Sequence, residues 1–197
     1  MRGLEQIPWL YDGLMRLAPR LNRWRAELVE LAEGRVLEVG CGTGLALADY
    51  AQRVHFAVGI DPALGSLRVA ARRSHASCLQ ASAEHLPFAD ASFDTVVSSL
   101  VFCSVPDPLA GLHEIRRVLR PDGRLLMLEH VQAKGPWLAR ALDVMQPAWT
   151  CVSGGCHPNR DTEKRVIEAG FAIEADGYRA RGVLRRFVAR PDQCASE

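Results

Sequence analysis

Three glycines at alternate positions form the part of this sequence best suited to bind a ligand. Gly40, Gly42 and Gly44 follow the apolar run 36–39 and precede a helix-compatible run at 45–51. This order predicts a strand, a tight loop and a helix, because glycine permits sharp turns and lets a ligand approach the backbone. Open α/β sheets bind nucleotides at such a loop, just beyond the carboxyl end of a strand.

The spacing of these glycines and a nearby acid narrow the class of ligand. A dinucleotide-binding loop has the spacing G-x-G-x-x-G and holds a pyrophosphate at a helix N-terminus, whereas the spacing here is G-x-G-x-G. Glu38 lies two residues before Gly40, and its carboxylate would repel a phosphate. A nucleoside that carries an ammonium and a sulfonium group fits this loop, and NAD and ATP fit poorly. Cys41 and Thr43, between the glycines, belong to the same loop. The alternative is a loop that only connects a strand to a helix.

A second acid follows the next predicted strand, 54–60. Asp61 lies 21 residues after Gly40 (61 − 40) and is followed by Pro62. In nucleoside-binding α/β folds an acid in this place accepts hydrogen bonds from ribose hydroxyls. The alternative is an N-cap for a helix at 63–73, since Asp before Pro begins helices well. The two roles are compatible, and we expect the ribose role.

Two further strand ends are expected at the same edge of the sheet. Ser82, Ala83 and Glu84 follow a predicted strand at 77–81, and an adenine could bind in their loop, which is otherwise an ordinary turn. Ser99 ends a predicted strand at 95–99, and Leu100 follows it. The remaining pattern predicts strands at 125–128, 171–174 and 183–189 and a turn at 120–123. It predicts helices at 4–17, 45–53, 63–73, 136–150 and 161–170, a helix that ends near residue 32 and a helix that begins at residue 108.

Composition is that of one globular domain. With 197 residues and a net charge of +1, the chain has no global field to attract nucleic acid or an acidic membrane. The six cysteines are scattered without a C-x-x-C pair, which indicates a reduced, cytoplasmic protein. No apolar run reaches the length of a membrane span, and we expect no transmembrane segment. Trp9, Leu10, Leu14 and Leu17 leave a peripheral membrane contact open, although a helix closing over the domain is favoured. No pattern indicates an oligomeric state.

Four motifs, in order, resemble those of the class I S-adenosylmethionine (SAM) methyltransferases. They are LEVGCGTG (37–44), GIDP (59–62), SAEHLPFADASFD (82–94) and HEIRRVLRPDGRLLMLEH (113–130), and the resemblance covers about residues 34–131. It implies a Rossmann-like α/β fold, doubly wound, with a seven-stranded sheet that is mostly parallel and has an antiparallel closing strand, and with helices on both faces. It also implies one domain, 1–197, with lid helices at 1–33, a cofactor core at 34–131 and a substrate side at 132–197.

The cofactor implied by the resemblance is SAM, with S-adenosylhomocysteine (SAH) as product. Ser82 departs from the family, in which many members carry Asp. Tyr11 is similar to a tyrosine that closes over the methionine part of SAM in related enzymes, although it could equally be a buried aromatic. The expected cofactor-binding residues are Tyr11, Glu38, Gly40, Cys41, Gly42, Thr43, Gly44, Asp61, Pro62, Ser82, Ala83, Glu84, Ser99 and Leu100.

Finer motifs bear on the methyl acceptor. LVFCSV (100–105), LEHV (128–131) and the segments 146–149, 155–156 and 160–162 resemble the methyltransferase-like alkyl-thiol methyltransferases. Ubiquinone/menaquinone-type and phospholipid N-methyltransferases are similar to these. The resemblance implies a small-molecule acceptor, with a thiol or sulfide favoured. The alternatives are N- or C-methylation of a phospholipid head group or quinone, and a SAM- or SAH-binding protein without activity. The glycine spacing and Glu38 argue against an NAD-dependent oxidoreductase.

Catalytic candidates follow the predicted strand at 125–128. His130 can titrate near neutrality and is the leading acid/base candidate, with a structural histidine at the sheet rim as the alternative. Glu129 is expected to orient a substrate or the loops of the fold. Cys103 is expected to be a packed or pocket-lining residue rather than a nucleophile. Cys151, Cys156 and His157 lack the second ligand pair of a structural zinc site, so no metal is expected.

Overall fold

The computed structural model describes residues 12–13, 17–131, 140, 144, 146, 156–157 and 159–192. Tyr11, most of the predicted helix at 4–17 and most of the predicted helix at 136–150 lie outside the described residues. Across the described ranges, we find no helix that combines the length and the apolarity needed to cross a membrane.

Five helices and eight strands are described. In chain order they are α1 (Pro19–Leu31), β1 (Arg35–Val39), α2 (Leu47–Arg53), β2 (Phe56–Asp61), α3 (Leu64–Ser74), β3 (Ser77–Gln80), β4 (Phe93–Ser99), α4 (Pro108–Val118), β5 (Leu119–His130), α5 (Thr162–Glu168), β6 (Phe171–Ile173), β7 (Arg179–Arg181) and β8 (Leu184–Pro191).

One mixed sheet organises these elements. Its strand order is β3-β2-β1-β4-β5-β8-β6, with β7 paired to β8. Strands β1 to β5 are parallel, and β8 runs antiparallel to β5 and β6. The predicted class is therefore confirmed, with eight strands rather than seven in the described part of the chain. The strand missed by the prediction is β7, whose three residues are all exposed and so carry no hydrophobic pattern.

Two apolar clusters cover the two faces of the sheet. Along β1, Val36 packs with α1 and α2, and Leu37 packs with α4. Along β4, Val97 and Val96 alternate between the same two clusters. Successive side chains of a strand point to opposite faces, so a parallel sheet covered on both sides needs apolar residues at every position. Because β1 to β5 are parallel, their carboxyl ends lie at one edge of the sheet, where the loops meet.

The predicted turn at 120–123 is part of a strand. Pairing between β4 and β5 shifts from Phe93 opposite Leu119 to Thr95 opposite Arg124, so residues 120–123 form an extended bulge within β5. A Cβ at Gly123 would lie 2.9 Å from the Leu119 side chain, which shows how closely the bulge folds on itself. Turn residues thus interrupt the ladder without ending the strand, and the prediction of a separate turn is wrong.

Candidate functional site

The glycine loop after β1 has the backbone that its glycines require. Gly40, Gly42 and Gly44 all have positive φ, at 68°, 52° and 75°. A Cβ at Gly40 would lie 2.4 Å from the Val101 side chain, and one at Gly44 would lie 2.9 Å from the Cα of Ala70. At Gly42, by contrast, no described atom would come within 4 Å of a Cβ. The loop is therefore fixed against its neighbours at both ends, and none of the described residues fills the space above its centre.

Asp61 holds the centre of this loop in place. Its Oδ2 accepts the Gly42 N–H at 2.9 Å, and its Oδ1 accepts the Ala63 N–H at 2.8 Å. Burial raises the pKa of this carboxyl, and the two backbone hydrogen bonds oppose that rise. Asp61 is not the N-cap of α3, because that helix begins at Leu64 and its N-cap position is Ala63. Each carboxylate oxygen retains a lone pair, so hydroxyl groups of a ligand can also bind.

Glu38 lies beneath the glycine loop, on the face of the sheet covered by α1 and α2. Only 4% of it is exposed, and within the described part of the chain its Oε2 has no hydrogen-bond partner. Burial raises the pKa of its carboxyl to about 8, with Asp61 and Asp49 adding to the rise and Arg25 opposing it. The predicted contact with a positively charged ligand stays a prediction, since the positive charge that acts on Glu38 here is that of Arg25.

Arg25 is a feature of this site that the sequence reasoning missed. It is 9% exposed on α1, and its Nε donates to Ser99 Oγ at 3.5 Å. The sequence does carry a signal for its burial, because the spacing of Leu21, Arg25 and Leu28 puts the arginine on the apolar face of the helix. An arginine on an apolar stripe predicts a buried acidic partner.

The N-terminal region reaches the glycine loop through Asp12. Its Oδ1 accepts the Thr43 hydroxyl at 2.6 Å, and its Oδ2 accepts an N–H of Arg73 at 2.5 Å. The same guanidinium donates to the Thr43 carbonyl at 2.9 Å. Asp12 therefore joins the loop to α3. Tyr11, expected at the cofactor, precedes Asp12 and lies outside the described residues.

The loop after β3 is held by the start of α4. Ala83 is buried, and a Cβ at Gly111 would lie 3.3 Å from its side chain. Glu84 Oε1 accepts the backbone N–H of Asp107, the N-cap residue of α4, at 3.3 Å. Ser82 forms an isolated bridge with His85. Glu84 thus supports the adjoining helix, and adenine binding by this loop stays a prediction.

Glu129 positions the loop that follows β4. It is fully buried, and its Oε1 accepts the Ser98 hydroxyl at 3.0 Å and the N–H groups of Val101 and Phe102 at 3.0 and 3.2 Å. Burial raises the pKa of this carboxyl to about 7, against these hydrogen bonds and the charge of His130. Of the two roles expected for Glu129, the described contacts match the orientation of the fold's own loops. We therefore treat it as a positioning residue instead of a catalytic one.

The same loop begins in an unusual backbone conformation. Leu100 has a φ of 61°, which an L-residue with a branched side chain rarely adopts. Its N–H donates to the Leu128 carbonyl at 2.7 Å, so the sheet holds the strained residue in place. Strain of this kind is common next to functional sites, and here it directs the chain from Ser99 across the edge of the sheet.

His130 lies at the end of β5 beside two cysteines. Its imidazole and the Cys103 and Cys156 sulfurs all lie within 4.8 Å of one another. A hydrogen bond with the Cys156 thiol, together with burial, raises the pKa of Cys103. The sequence pattern places Cys156 with Cys151 and His157, and Cys151 lies outside the described residues. The proximity of Cys156 to Cys103 was not predicted, because 53 positions separate the two cysteines (156 − 103).

A glycine loop after the first strand of a parallel sheet and an acid after the second form the nucleoside-binding arrangement of doubly wound α/β folds. A family model described as a methyltransferase domain matches residues 37–127. The chain is also 37% identical, over 141 residues, to a phosphatidylethanolamine N-methyltransferase from Cereibacter sphaeroides, covering 66% of this chain and 68% of that protein. The chain belongs to the SAM-dependent methyltransferase family.

Two further comparisons describe where the chain stands in this family. It is 36% identical over 154 residues to the human thiol S-methyltransferase TMT1B, and the aligned region covers 72% of this chain and 62% of TMT1B. The chain thus spans less than two thirds of the length of that relative. A SAM-dependent methyltransferase structure from Thermotoga maritima superposes with a TM-score of 0.69 at 19% identity, covering 95% of this chain and 99% of that one. At that identity the structure supports the fold alone.

Proposed function

We propose that this protein is an enzyme that transfers the methyl group of SAM to the sulfur of a small-molecule thiol or sulfide. The observation that carries the proposal is the pair of hydrogen bonds by which Asp61 joins the centre of the glycine loop to the start of α3. It keeps a carboxylate beside Gly42, where a Cβ would meet no atom of the described residues within 4 Å, and so leaves room among them for a ribose. The thiol acceptor is supported by the similarity to human TMT1B.

On the donor side, the methionine part of SAM lies on the glycine loop, its ribose on Asp61, and its adenine against the loop after β3. The N-terminal region closes over it, held by Asp12. The residues assigned to SAM are Tyr11, Glu38, Gly40, Cys41, Gly42, Thr43, Gly44, Asp61, Pro62, Ser82, Ala83, Glu84, Ser99 and Leu100. Glu38 acts from beneath the loop, and Glu84 acts by fixing the shape of the adenine loop.

Methyl transfer is an in-line displacement. The acceptor sulfur forms a bond to the methyl carbon while the bond from that carbon to the sulfonium of SAM breaks, and SAH departs as a neutral sulfide. Orientation of the two sulfur atoms can supply much of the acceleration. A thiol, with an ordinary pKa near 8.5, needs little help to ionise. His130 is the candidate proton acceptor, and Glu129 positions the loop that faces it.

A phospholipid head group is the second candidate acceptor. The Cereibacter sphaeroides relative is named a phosphatidylethanolamine N-methyltransferase, and its identity to this chain is as high as that of human TMT1B. An amine acceptor carries a proton with a much higher pKa than a thiol, so it places a stronger demand on a base. A reducing, cytoplasmic compartment is part of the proposal, supported by the free thiols of the four described cysteines.

The donor half of the proposal is tested by SAH binding, measured by isothermal titration calorimetry. SAH should bind the wild-type protein, whereas NAD and ATP should not. Asp61→Ala should weaken SAH binding by about 10- to 100-fold, the value of hydrogen bonds to a charged group. Asp122→Ala is the matched control, because Asp122 is exposed at the opposite edge of the sheet. Equal SAH affinity of both variants would remove Asp61 from the ribose role, and binding of NAD in place of SAH would overturn the donor assignment.

A further inference from the structure

We infer that Cys103, His130 and Cys156 form a binding site for a thiophilic metal ion of the Zn²⁺ type, whose open coordination position takes the acceptor thiol. The metal site itself stands on the described geometry alone. The part concerning the acceptor rests on the proposed function, which it deepens by naming how a thiol is held and ionised.

The three ligand atoms are close enough to share one ion. The two sulfurs and the imidazole nitrogen all lie within 4.8 Å of one another. Zinc binds sulfur at about 2.3 Å and nitrogen at about 2.0 Å, so tetrahedral ligands lie about 3.4–3.8 Å apart. Side-chain adjustments of about 1 Å bring the three atoms to that spacing. Cys103 and Cys156 are 2% and 7% exposed, so their thiols are shielded from bulk solvent.

The backbone around the two cysteines is tied together. The His157 N–H donates to the Cys103 carbonyl at 2.8 Å, which sets Cys156 beside Cys103. The Arg160 guanidinium donates to the Phe102 carbonyl at 3.0 Å and also to the carbonyl of Val105. One arginine therefore holds the loop after β4 on both sides of Cys103. The cluster is built by contacts outside its own side chains, as a preorganised ligand set requires.

His130 is fixed by the sheet. It pairs with Leu184 at the end of β5, and the next residue, Val131, donates its N–H to the Val183 carbonyl at 2.7 Å. Glu129 accepts hydrogen bonds from Val101 and Phe102, so β5 is joined to the loop that carries Cys103. The three ligands thus come from three segments whose relative positions are set by hydrogen bonds of the backbone and of the Glu129 and Arg160 side chains.

The donor set selects the class of metal. Thiolate and imidazole ligands suit Zn²⁺ and other thiophilic ions, whereas Mg²⁺ and Ca²⁺ require oxygen ligands. Two cysteines and one histidine leave a tetrahedral ion one open position, which is the arrangement of catalytic rather than structural zinc sites.

The position of the cluster links it to methyl transfer. Val101, two residues before Cys103, is the residue against which Gly40 packs, so the metal site and the glycine loop share one edge of the sheet. A thiol that binds the ion releases its proton to solvent and becomes a metal-bound thiolate. Its sulfur then forms the bond to the methyl carbon, the bond from that carbon to the SAM sulfonium breaks, and the thioether and SAH leave. The step is a nucleophilic displacement, so it needs no oxidant or reductant. The ion replaces His130 as the means of ionising the thiol, and the imidazole serves as a ligand.

Co²⁺ titration of the metal-free full chain tests the site without reference to activity. We expect one equivalent to bind with a thiolate-to-cobalt charge-transfer band and the visible bands of a tetrahedral ion. Cys103→Ser and Cys156→Ser should each weaken Co²⁺ binding at least about 10-fold. Cys78→Ser, the matched control on β3, should bind Co²⁺ as the wild type does. Absence of the charge-transfer band, or a band that survives both ligand substitutions, would overturn the metal site. SAH affinity, measured on each variant, verifies that the fold is retained.

The acceptor role is tested by adding an alkyl thiol to the Co²⁺-bound protein and by assaying methylation with and without Zn²⁺. A change in the cobalt spectrum and a loss of thiol methylation on chelation, restored by Zn²⁺, would support the role. An unchanged spectrum together with full activity of the chelated protein would refute it and leave His130 as the proton acceptor. If Co²⁺ binds as expected but no thiol is methylated under either condition, the proposed function fails while the metal site stands.

Discussion

The charge on Glu38 should make the stability of the ligand-free protein depend steeply on pH. Burial raises the pKa of this carboxyl from 4.5 to about 8 in the folded protein. Between these values the folded state keeps a proton that the unfolded state has lost, so stability falls as pH rises. The contribution is fully present below pH 4.5 and is gone above pH 8. At about 1.4 kcal/mol for each unit of pH, the loss between pH 5 and pH 8 is about 4 kcal/mol.

Glu38→Gln isolates this contribution, because the amide has nearly the same shape and cannot ionise. Urea unfolding at several pH values between 5 and 8 should show a wild-type free energy of unfolding that falls relative to Glu38→Gln by about 4 kcal/mol over that range. Other titrating groups are common to both proteins and cancel in the difference. Glu30→Gln, on the exposed side of α1, is the matched control and should follow the wild type. If the free energy of unfolding changes with pH in the same way for wild type and Glu38→Gln, the Glu38 carboxyl does not stay protonated in the folded protein, and the reasoning is refuted.

Two further predictions concern the glycine loop and its cover. Gly44→Ala forces a Cβ to 2.9 Å from Ala70 at a φ of 75°, so SAH affinity should fall by about 10-fold or more and the unfolding free energy by about 1–3 kcal/mol. Gly65→Ala, where a Cβ would meet no described atom within 4 Å, should change neither quantity by more than about 1 kcal/mol; equal effects of the two substitutions would contradict the role of the loop. Asp12→Ala removes the bonds that join the N-terminal region to the loop, so stopped-flow measurement should show SAH dissociating about 5- to 10-fold faster. An unchanged dissociation rate would rule out the lid.

The backbone of the glycine loop could be predicted because its signals are local. Gly40, Gly42 and Gly44 are needed for their own positive φ values, and each can be recognised from its neighbours in the sequence. The position of Asp61 at a strand end predicts that its carboxylate lies beside this loop, and its hydrogen bond with the Gly42 N–H matches that placement, while its ribose role stays a prediction. The parallel sheet followed from apolar runs, which must be continuous when both faces are covered.

Features that depend on distant contacts could not be predicted in the same way. Arg25 is buried because Glu38 and Ser99 lie opposite it, and no propensity of its own helix reports that pairing. Cys103 and Cys156 come together because the backbone N–H of His157 donates a hydrogen bond to the Cys103 carbonyl, which joins the loop after β4 to a segment far along the chain. Such pairings are long-range consequences of the sheet order.

Strand pairing also overrides two local sequence signals. The turn residues at 120–123 predict the end of an element, but the pairing of β5 with β4 resumes at Arg124 and carries the strand through them. The short strand β7 is formed by pairing with β8, since its three exposed residues have no apolar alternation. In both cases the sheet overrides a local preference.

Methyl transfer from isotopically labelled SAM to matched acceptors tests the central claim most directly. An alkyl thiol, the corresponding amine and alcohol, a demethylated quinone and phosphatidylethanolamine in vesicles would be compared, with methylated product and SAH measured together. We predict labelled thioether and SAH in equal amounts from the thiol, with little product from the oxygen and nitrogen analogues. Labelled product from the amine, the quinone or the lipid alone would contradict the thiol acceptor, and the absence of SAH with every acceptor would contradict methyl transfer itself.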